Sequence, residues 1–94
     1  MAISLISAFL VMKITVKYFA SIREAIGQGS ELHETSATTL AILRDELLAV
    51  SPQHASSLAR GRAVRMALNQ VMSNESALLT DGCEVAFFPP VTGG

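Results

Sequence analysis

Cysteine occurs once in this 94-residue chain, as Cys83, and tryptophan does not occur at all. A lone thiol excludes an internal disulfide framework and a cysteine-rich metal site. It suits a reducing compartment such as the cytoplasm. Charge is also scarce. Only 16% of residues are charged and the net charge is −1, so a nucleic-acid partner, which calls for a basic excess or stripe, is not expected. His33 and His54 have no cysteine or acidic constellation at ligand spacing, so no metal is expected and both histidines read as surface residues. There is no apolar run of spanning length. Ala2 to Val11 is apolar apart from Ser4 and Ser7, but ten residues are too few to cross a bilayer. The segment also lacks the basic start of a secretory signal. A membrane partner is therefore not expected.

What is present is a hydrophobic half, enough for one ordered domain with a modest core. Two readings stand for residues 1–11: an extension outside the domain, with Met12 as the natural beginning, or an apolar arm packed on the domain or on a neighbouring copy. From Met12 to Phe19 apolar and polar residues alternate, with Ile14, Val16 and Tyr18 on one side and Lys13, Thr15 and Lys17 on the other. This is a strand with one buried face. Ser21 to Ile26 reads as a short helical turn ended by Gly27 and Gly29. Glu31 to Glu34 is a weak strand candidate, pairing antiparallel with the first. Leu40, Leu43, Leu47 and Leu48 share a helical face, with Arg44, Asp45 and Glu46 on the solvated side. Ser51-Pro52 closes that helix. A ragged turn from His54 to Arg60 ends at Gly61.

Val64 to Asn69 alternates again and reads as a central strand, followed by a turn at Asn69-Gln70 and an irregular stretch from Val71 to Ala77. Leu78-Leu79 is a short apolar contact before the Thr80-Asp81-Gly82 turn. The last strand runs from Cys83 to Phe88, with Val85 and Phe87 on one face and Glu84, Ala86 and Phe88 on the other. Cys83 is expected as a half-buried strand thiol. The order predicts an α+β layer, one main helix across a mixed sheet of four or five strands. With the first and last strands adjacent at the centre, it is a β-grasp.

The chain ends Pro89-Pro90-Val91-Thr92-Gly93-Gly94. The prolines stop the strand and fix the start of a tail. The glycines have no Cβ and make a thin tip. Six extended residues span about 20 Å. A rigid lead, a thin tip and a terminal carboxylate mark Gly94 as the reactive group. Phe88, next to the tail, reads as an aromatic anchor for a partner. Arg65 and Ala67 share an exposed strand face that borders it. Arg23 is either a partner contact or a solvated helix charge.

Three stretches resemble the small, sulfur-carrying subunits of molybdopterin synthase: Tyr18-Phe19-Ala20-Ser21-Ile22-Arg23-Glu24-Ala25-Ile26-Gly27, Ala67-Leu68-Asn69-Gln70, and Leu79-Thr80-Asp81-Gly82 with Glu84 through Gly94. The resemblance spans about residues 12–94 and implies a ubiquitin-like β-grasp over residues 12–88 with a flexible tail from 89 to 94. It also implies a chemistry. An E1-like activating enzyme adenylates the Gly94 carboxylate with ATP, and sulfur then replaces AMP to leave a thiocarboxylate. The tail enters a large catalytic subunit and donates sulfur to cyclic pyranopterin monophosphate, forming the molybdopterin dithiolene. Phe88, Pro89, Pro90, Val91, Thr92 and Gly93 become the partner-binding tail, with Gly93 giving clearance. No permanently bound cofactor and no catalytic side-chain set on this chain are implied. The alternatives are a related carrier for thiamine or tRNA thiolation, and a ubiquitin-like modifier whose Gly94 joins lysines. The apolar residues 1–11 and Cys83 after the Asp-Gly turn depart from the family pattern.

Overall fold

The computed structural model describes residues 11–90. Residues 1–10 and Val91–Gly94 lie outside them, and with these the expectations for the N-terminal segment and for the tip of the tail. The chain runs β1 (Met12–Tyr18), α1 (Ala20–Ile26), β2 (Ser30–Thr35), α2 (Leu40–Leu48), α3 (Pro52–Leu58), β3 (Arg65–Leu68), β4 (Val71–Ser73) and β5 (Glu84–Phe88). The five strands form one sheet in the order β2-β1-β5-β3-β4. β1 and β5 are parallel and adjacent, with Val16 opposite Val85. β2 returns antiparallel along β1, and β3 runs antiparallel to both β5 and β4. The first and last strands thus sit side by side in a β-grasp, as expected.

The alternation in β1 does what it predicts. Ile14, Val16 and Tyr18 are buried, and the residues between them face the other side. The same face collects Val85 and Phe87 from β5 and Leu40, Leu43 and Leu47 from α2, all with 1% exposure or less. Each such side chain contributes about 1.5–3 kcal/mol by leaving water. α1 ends at Gly27, whose φ of 91° is open to glycine at little cost, and the Gly27 N–H returns to the Arg23 carbonyl. Thr39 caps α2 by accepting the Ile42 N–H. Ser51 caps α3 by accepting the His54 N–H, and Pro52 occupies its first turn.

Several expectations need correction. Val71–Ser73 is not irregular but an edge strand, held to β3 by a two-residue turn in which Asn69 and Gln70 both have positive φ. Leu78 makes only a single bridge, to Thr39. β3 lies inside the sheet but not at its middle, which is β5. Cys83 is buried rather than half-buried and lies one residue before β5. Leu48 is only partly buried.

Arg44 is the largest departure. It does not share the solvated side with Asp45 and Glu46 but is 3% exposed. Its guanidinium donates from Nε to the Leu58 carbonyl at 2.7 Å, and from Nη2 to the carbonyls of Ala59 at 2.8 Å and Arg62 at 3.2 Å. The end of α3 presents bare carbonyls there, and a buried carbonyl needs a donor. Arg44 supplies three of those bonds and fixes the turn that leads into β3. Asp45 remains exposed and pairs with Arg60, while Glu46 is half-buried and accepts from Thr35.

Candidate functional site

The site expected from the sequence is the end of the sheet from which the tail departs. Here β1 and β5 finish side by side. The Phe19 N–H donates to the Phe87 carbonyl at 3.1 Å, so the last bond of the parallel pair sits at the base of the tail. Phe88, Pro89 and Pro90 are all half-buried. Phe88 points to the face opposite Phe87, as the alternation requires, and lies opposite Arg65 of β3. Val91, Thr92, Gly93 and Gly94 lie outside the described residues.

Among the described residues no helix covers that opposite face of the sheet. Its middle is Ala67 paired with Ala86, and Lys17 opposite Ala86 on the other side. Arg65 is exposed as expected. Ala67 shares its face but is only 7% exposed, which corrects the expectation of an open position. A methyl group on an interior strand lies below the tops of its longer neighbours, so Ala67 and Ala86 form a floor rather than a contact surface. Around that floor stand Phe88, Arg65, Met72 and, further along, Leu32, with the Lys17–Glu84 pair at 3.4 Å. The arrangement is a shallow apolar basin with charged edges, suited to a protein surface rather than a small molecule.

On the flank of the tail, α1 and the loop behind it enclose an open groove of about 510 Å³, lined by Ala20, Arg23, Glu24, Gly27, Gln28 and Gly29. Arg23 is exposed. A Cβ at Gly29 would sit 3.1 Å from Arg23 Nε and 3.2 Å from Cζ, so the absence of a side chain there lets the guanidinium lie across the loop. Ala20, at the junction between β1 and α1, has a φ of 53°, a conformation disfavoured for a residue with a Cβ.

His54 overturns the expectation of a surface histidine. Its side chain is 5% exposed, and Nε2 lies 2.8 Å from Glu31 Oε2. The same oxygen accepts the Tyr18 hydroxyl at 2.7 Å, and the Ser51 hydroxyl lies 2.7 Å from His54 Nδ1. Burial raises the pKa of the Glu31 carboxyl, but hydrogen bonds from His54 and Tyr18, helped by the nearby His54 and His33 rings, hold it below the usual carboxylate range. An ionised Glu31 can only accept, so Nε2 carries a proton, and the Ser51 hydroxyl holds the ring from the other side at Nδ1. Burial, together with the bond to Glu31, pushes the Tyr18 hydroxyl well above its normal range. The order serine, histidine, glutamate looks like a nucleophile relay, but the ring is enclosed and Ser51 is occupied as the cap of α3. The cluster ties β1, β2 and α3 together. His33 is half-buried beside Glu46 at 3.4 Å. Among the described residues no group of three or more His, Cys, Asp or Glu side chains is placed to hold a metal ion, and no helix is long and apolar enough to cross a membrane.

The structure therefore brings Phe88, Arg65 and Ala67 to one face of the sheet, with Pro89 and Pro90 following the end of β5 and Arg23 on the adjoining flank. It adds Arg62, which sequence reading passed over. Arg62 is exposed, three residues ahead of Arg65, on the turn that Arg44 holds from beneath.

Comparison with known proteins gives consistent results. A model of the ThiS family matches residues 16–94. The molybdopterin synthase sulfur carrier subunit of Escherichia coli is 41% identical over 81 residues, which cover 86% of this chain and 99% of that protein. A Haloferax volcanii protein solved in solution superposes with a TM-score of 0.75 at 27% identity, covering 89% of this chain and 88% of its own. In a Helicobacter pylori complex of subunits 1 and 2 of molybdopterin-converting factor, one chain matches with a TM-score of 0.57 at 29% identity, covering 88% of this chain and 100% of that one. By its sequence and by its ubiquitin-like β-grasp, the chain belongs to the ThiS family.

Proposed function

We propose that this chain is the sulfur-donating subunit of a molybdopterin synthase. The observation that carries the reading is the Phe87-Phe88-Pro89-Pro90-Val91-Thr92-Gly93-Gly94 ending, whose two phenylalanines finish the central strand of a β-grasp in a chain 41% identical over 81 residues to a sulfur carrier subunit. A carboxylate is a poor acyl donor because its leaving oxygen is too basic. Joining the Gly94 carboxylate to AMP, with release of pyrophosphate from ATP, makes a mixed anhydride. A sulfur nucleophile attacks the carbonyl carbon and AMP leaves, which gives the thiocarboxylate. That terminus is a tethered sulfur nucleophile for the pterin precursor, and confinement within a partner supplies proximity and orientation.

The activating step belongs to an E1-like enzyme and the transfer step to a large catalytic subunit, both acting in the cytoplasm. The Helicobacter pylori complex of subunits 1 and 2 supports the second partner. Phe88 anchors the contact, Pro89 and Pro90 aim the tail, Val91 and Thr92 line its passage, and Gly93 keeps the bulk beside the reacting carbon small. Arg65, the Ala67 floor and Arg23 border the contact. This chain contributes position and a carbonyl; the acid–base groups are the partners'.

The test is reconstitution with the large subunit, the activating enzyme, ATP, a sulfur donor and the pterin precursor. Deletion of Gly94, or Gly93→Trp, is expected to abolish product while leaving the thermal melt unchanged. Undiminished product from the Gly94 deletion contradicts the reading.

A further inference from the structure

The seven cations are not evenly used. Lys17, Arg44 and Arg60 are each paired with a carboxylate. Among the described residues Arg23, Arg62 and Arg65 make no ion pair, and all three are exposed. They lie at one end of the molecule. Arg65 starts β3 opposite Phe88. Arg62 precedes it on a turn whose carbonyls at Ala59 and Arg62 are gripped by buried Arg44. Arg23 follows Phe19, which bonds the Phe87 carbonyl, and its own N–H returns to Phe19. The only unpaired exposed carboxylate described at that end is Glu24, on α1. The far end differs. Lys13 stands opposite Glu34, and its N–H donates to the Asp81 carboxylate at 2.9 Å, so acids outnumber the one cation there. A chain with a net charge of −1 thus turns a positive end toward whatever receives its tail.

We infer that Arg62, Arg65 and Arg23 form a cationic collar around the base of the tail, and that it docks on carboxylates surrounding the tail-receiving opening of the large subunit. The inference rests on the sulfur-carrier reading and adds to it the chemistry of the partner's surface. Arg62 and Arg65 flank Phe88 on the β3 side, and Arg23 stands on the β1 side, so the collar brackets the apolar anchor. Charges placed at the rim of an interface act mainly on the rate of encounter and on its salt dependence. Long side chains that make no ion pair among the described residues suit this role. Holding the turn backbone by Arg44 keeps Arg62 at the rim without using the Arg62 side chain. The collar also orients the carrier, because the opposite end carries the other sign and is repelled by an acidic opening.

The experiment measures association of the full chain with its cognate large subunit by stopped flow across a salt series. The variants are Arg62→Glu/Arg65→Glu, the charge-conserving Arg62→Lys/Arg65→Lys, and Lys13→Glu at the far end. For the native chain the association rate is expected to fall about tenfold from low to high ionic strength, and the double reversal to remove most of that dependence. The lysine pair should retain it, Lys13→Glu should leave it unchanged, and deletion of Gly93 and Gly94 should preserve the salt slope. Thermal melts of the two arginine pairs of variants should match the native chain, since among the described residues neither arginine side chain has a partner to lose. A double reversal with unaltered rate and slope overturns the collar. So does a double reversal that slows only adenylation by the activating enzyme, since it moves the acidic surface to that protein. Failure of the native chain to bind the large subunit defeats the sulfur-carrier reading itself, and the collar with it.

Discussion

Replacing Glu31 with glutamine tests the buried polar cluster most sharply. Glu31 Oε2 accepts from Tyr18 at 2.7 Å and from His54 at 2.8 Å, and its side chain is 17% exposed. Hydrogen bonds to a charged group are worth about 1.5–3 kcal/mol each against about 0.5–1.5 for neutral ones; both donors meet one oxygen, so a glutamine that turns its carbonyl toward them keeps both bonds and loses the charge that strengthens each. The expected loss is about 2–4 kcal/mol at neutral pH. The pH dependence has a fixed sign. The carboxyl is held below its ordinary value in the folded chain, so its contribution is complete above the unfolded pKa and is lost as pH falls through the folded one. Urea denaturation of the two proteins from neutral to strongly acid pH should therefore show a gap that is constant near neutrality and closes in acid. The variant should unfold with the same surface exposure, hence the same slope in urea. A gap of less than about 0.5 kcal/mol at neutral pH, or one that does not narrow in acid, refutes the assignment of an ionised Glu31 at the centre of the cluster.

Four further outcomes are expected. Arg44→Ala removes its bonds to the carbonyls of Leu58, Ala59 and Arg62, of which Ala59 keeps the Arg62 N–H, and should cost about 3–5 kcal/mol, read by denaturant unfolding. Ala20→Gly should raise stability by about 1 kcal/mol, because the φ of 53° strains only a residue with a Cβ; a lowered melting temperature contradicts it. Leu43→Ala removes a side chain with no exposure and should cost about 2–5 kcal/mol. Phe88→Ala should weaken binding to the large subunit more than it lowers the melting temperature; a large thermal loss instead places Phe88 among the residues that hold the fold.

The fold was legible where the pattern was long enough to have a period. β1 alternates over seven residues and α2 repeats its leucines over two turns, so both could be read with their buried faces. β5 was readable for the same reason, except that Cys83 falls just short of it. β4 was not readable. Three residues carry no period, and Val71 and Met72 are both exposed, so what holds them is the Asn69-Gln70 turn and the neighbouring strand. His54 and Arg44 were misplaced because their partners are distant in sequence. The acceptor of His54 is 23 residues away on β2, and that of Arg44 lies on the next helix. A charged residue between Leu43 and Asp45 reads as solvated until the open carbonyls at the end of α3 are seen.

The candidate site was legible in a different way. The proposed reactive end, Gly94, is read from composition alone and lies outside the described residues. What the structure adds is the setting: Phe88 on a face that no described helix covers, Arg65 opposite it, and Ala67 sunk between longer neighbours. Arg62 was missed because nothing in Arg60-Gly61-Arg62 says which arginine is spent on an internal pair. Arg60 is spent, on Asp45 and Glu75, and Arg62 is not.

The central claim is that the terminal carbonyl of Gly94 carries the sulfur. The most direct measurement is the intact mass of the chain before and after a single turnover with the large subunit and the pterin precursor, following charging by the activating enzyme with ATP and a sulfur donor. The account predicts that charging adds the mass difference of one oxygen replaced by sulfur, localised to the C-terminal peptide, and that turnover restores the carboxylate as dithiolene appears. A terminus that never gains sulfur, or that keeps it while product forms, contradicts the account.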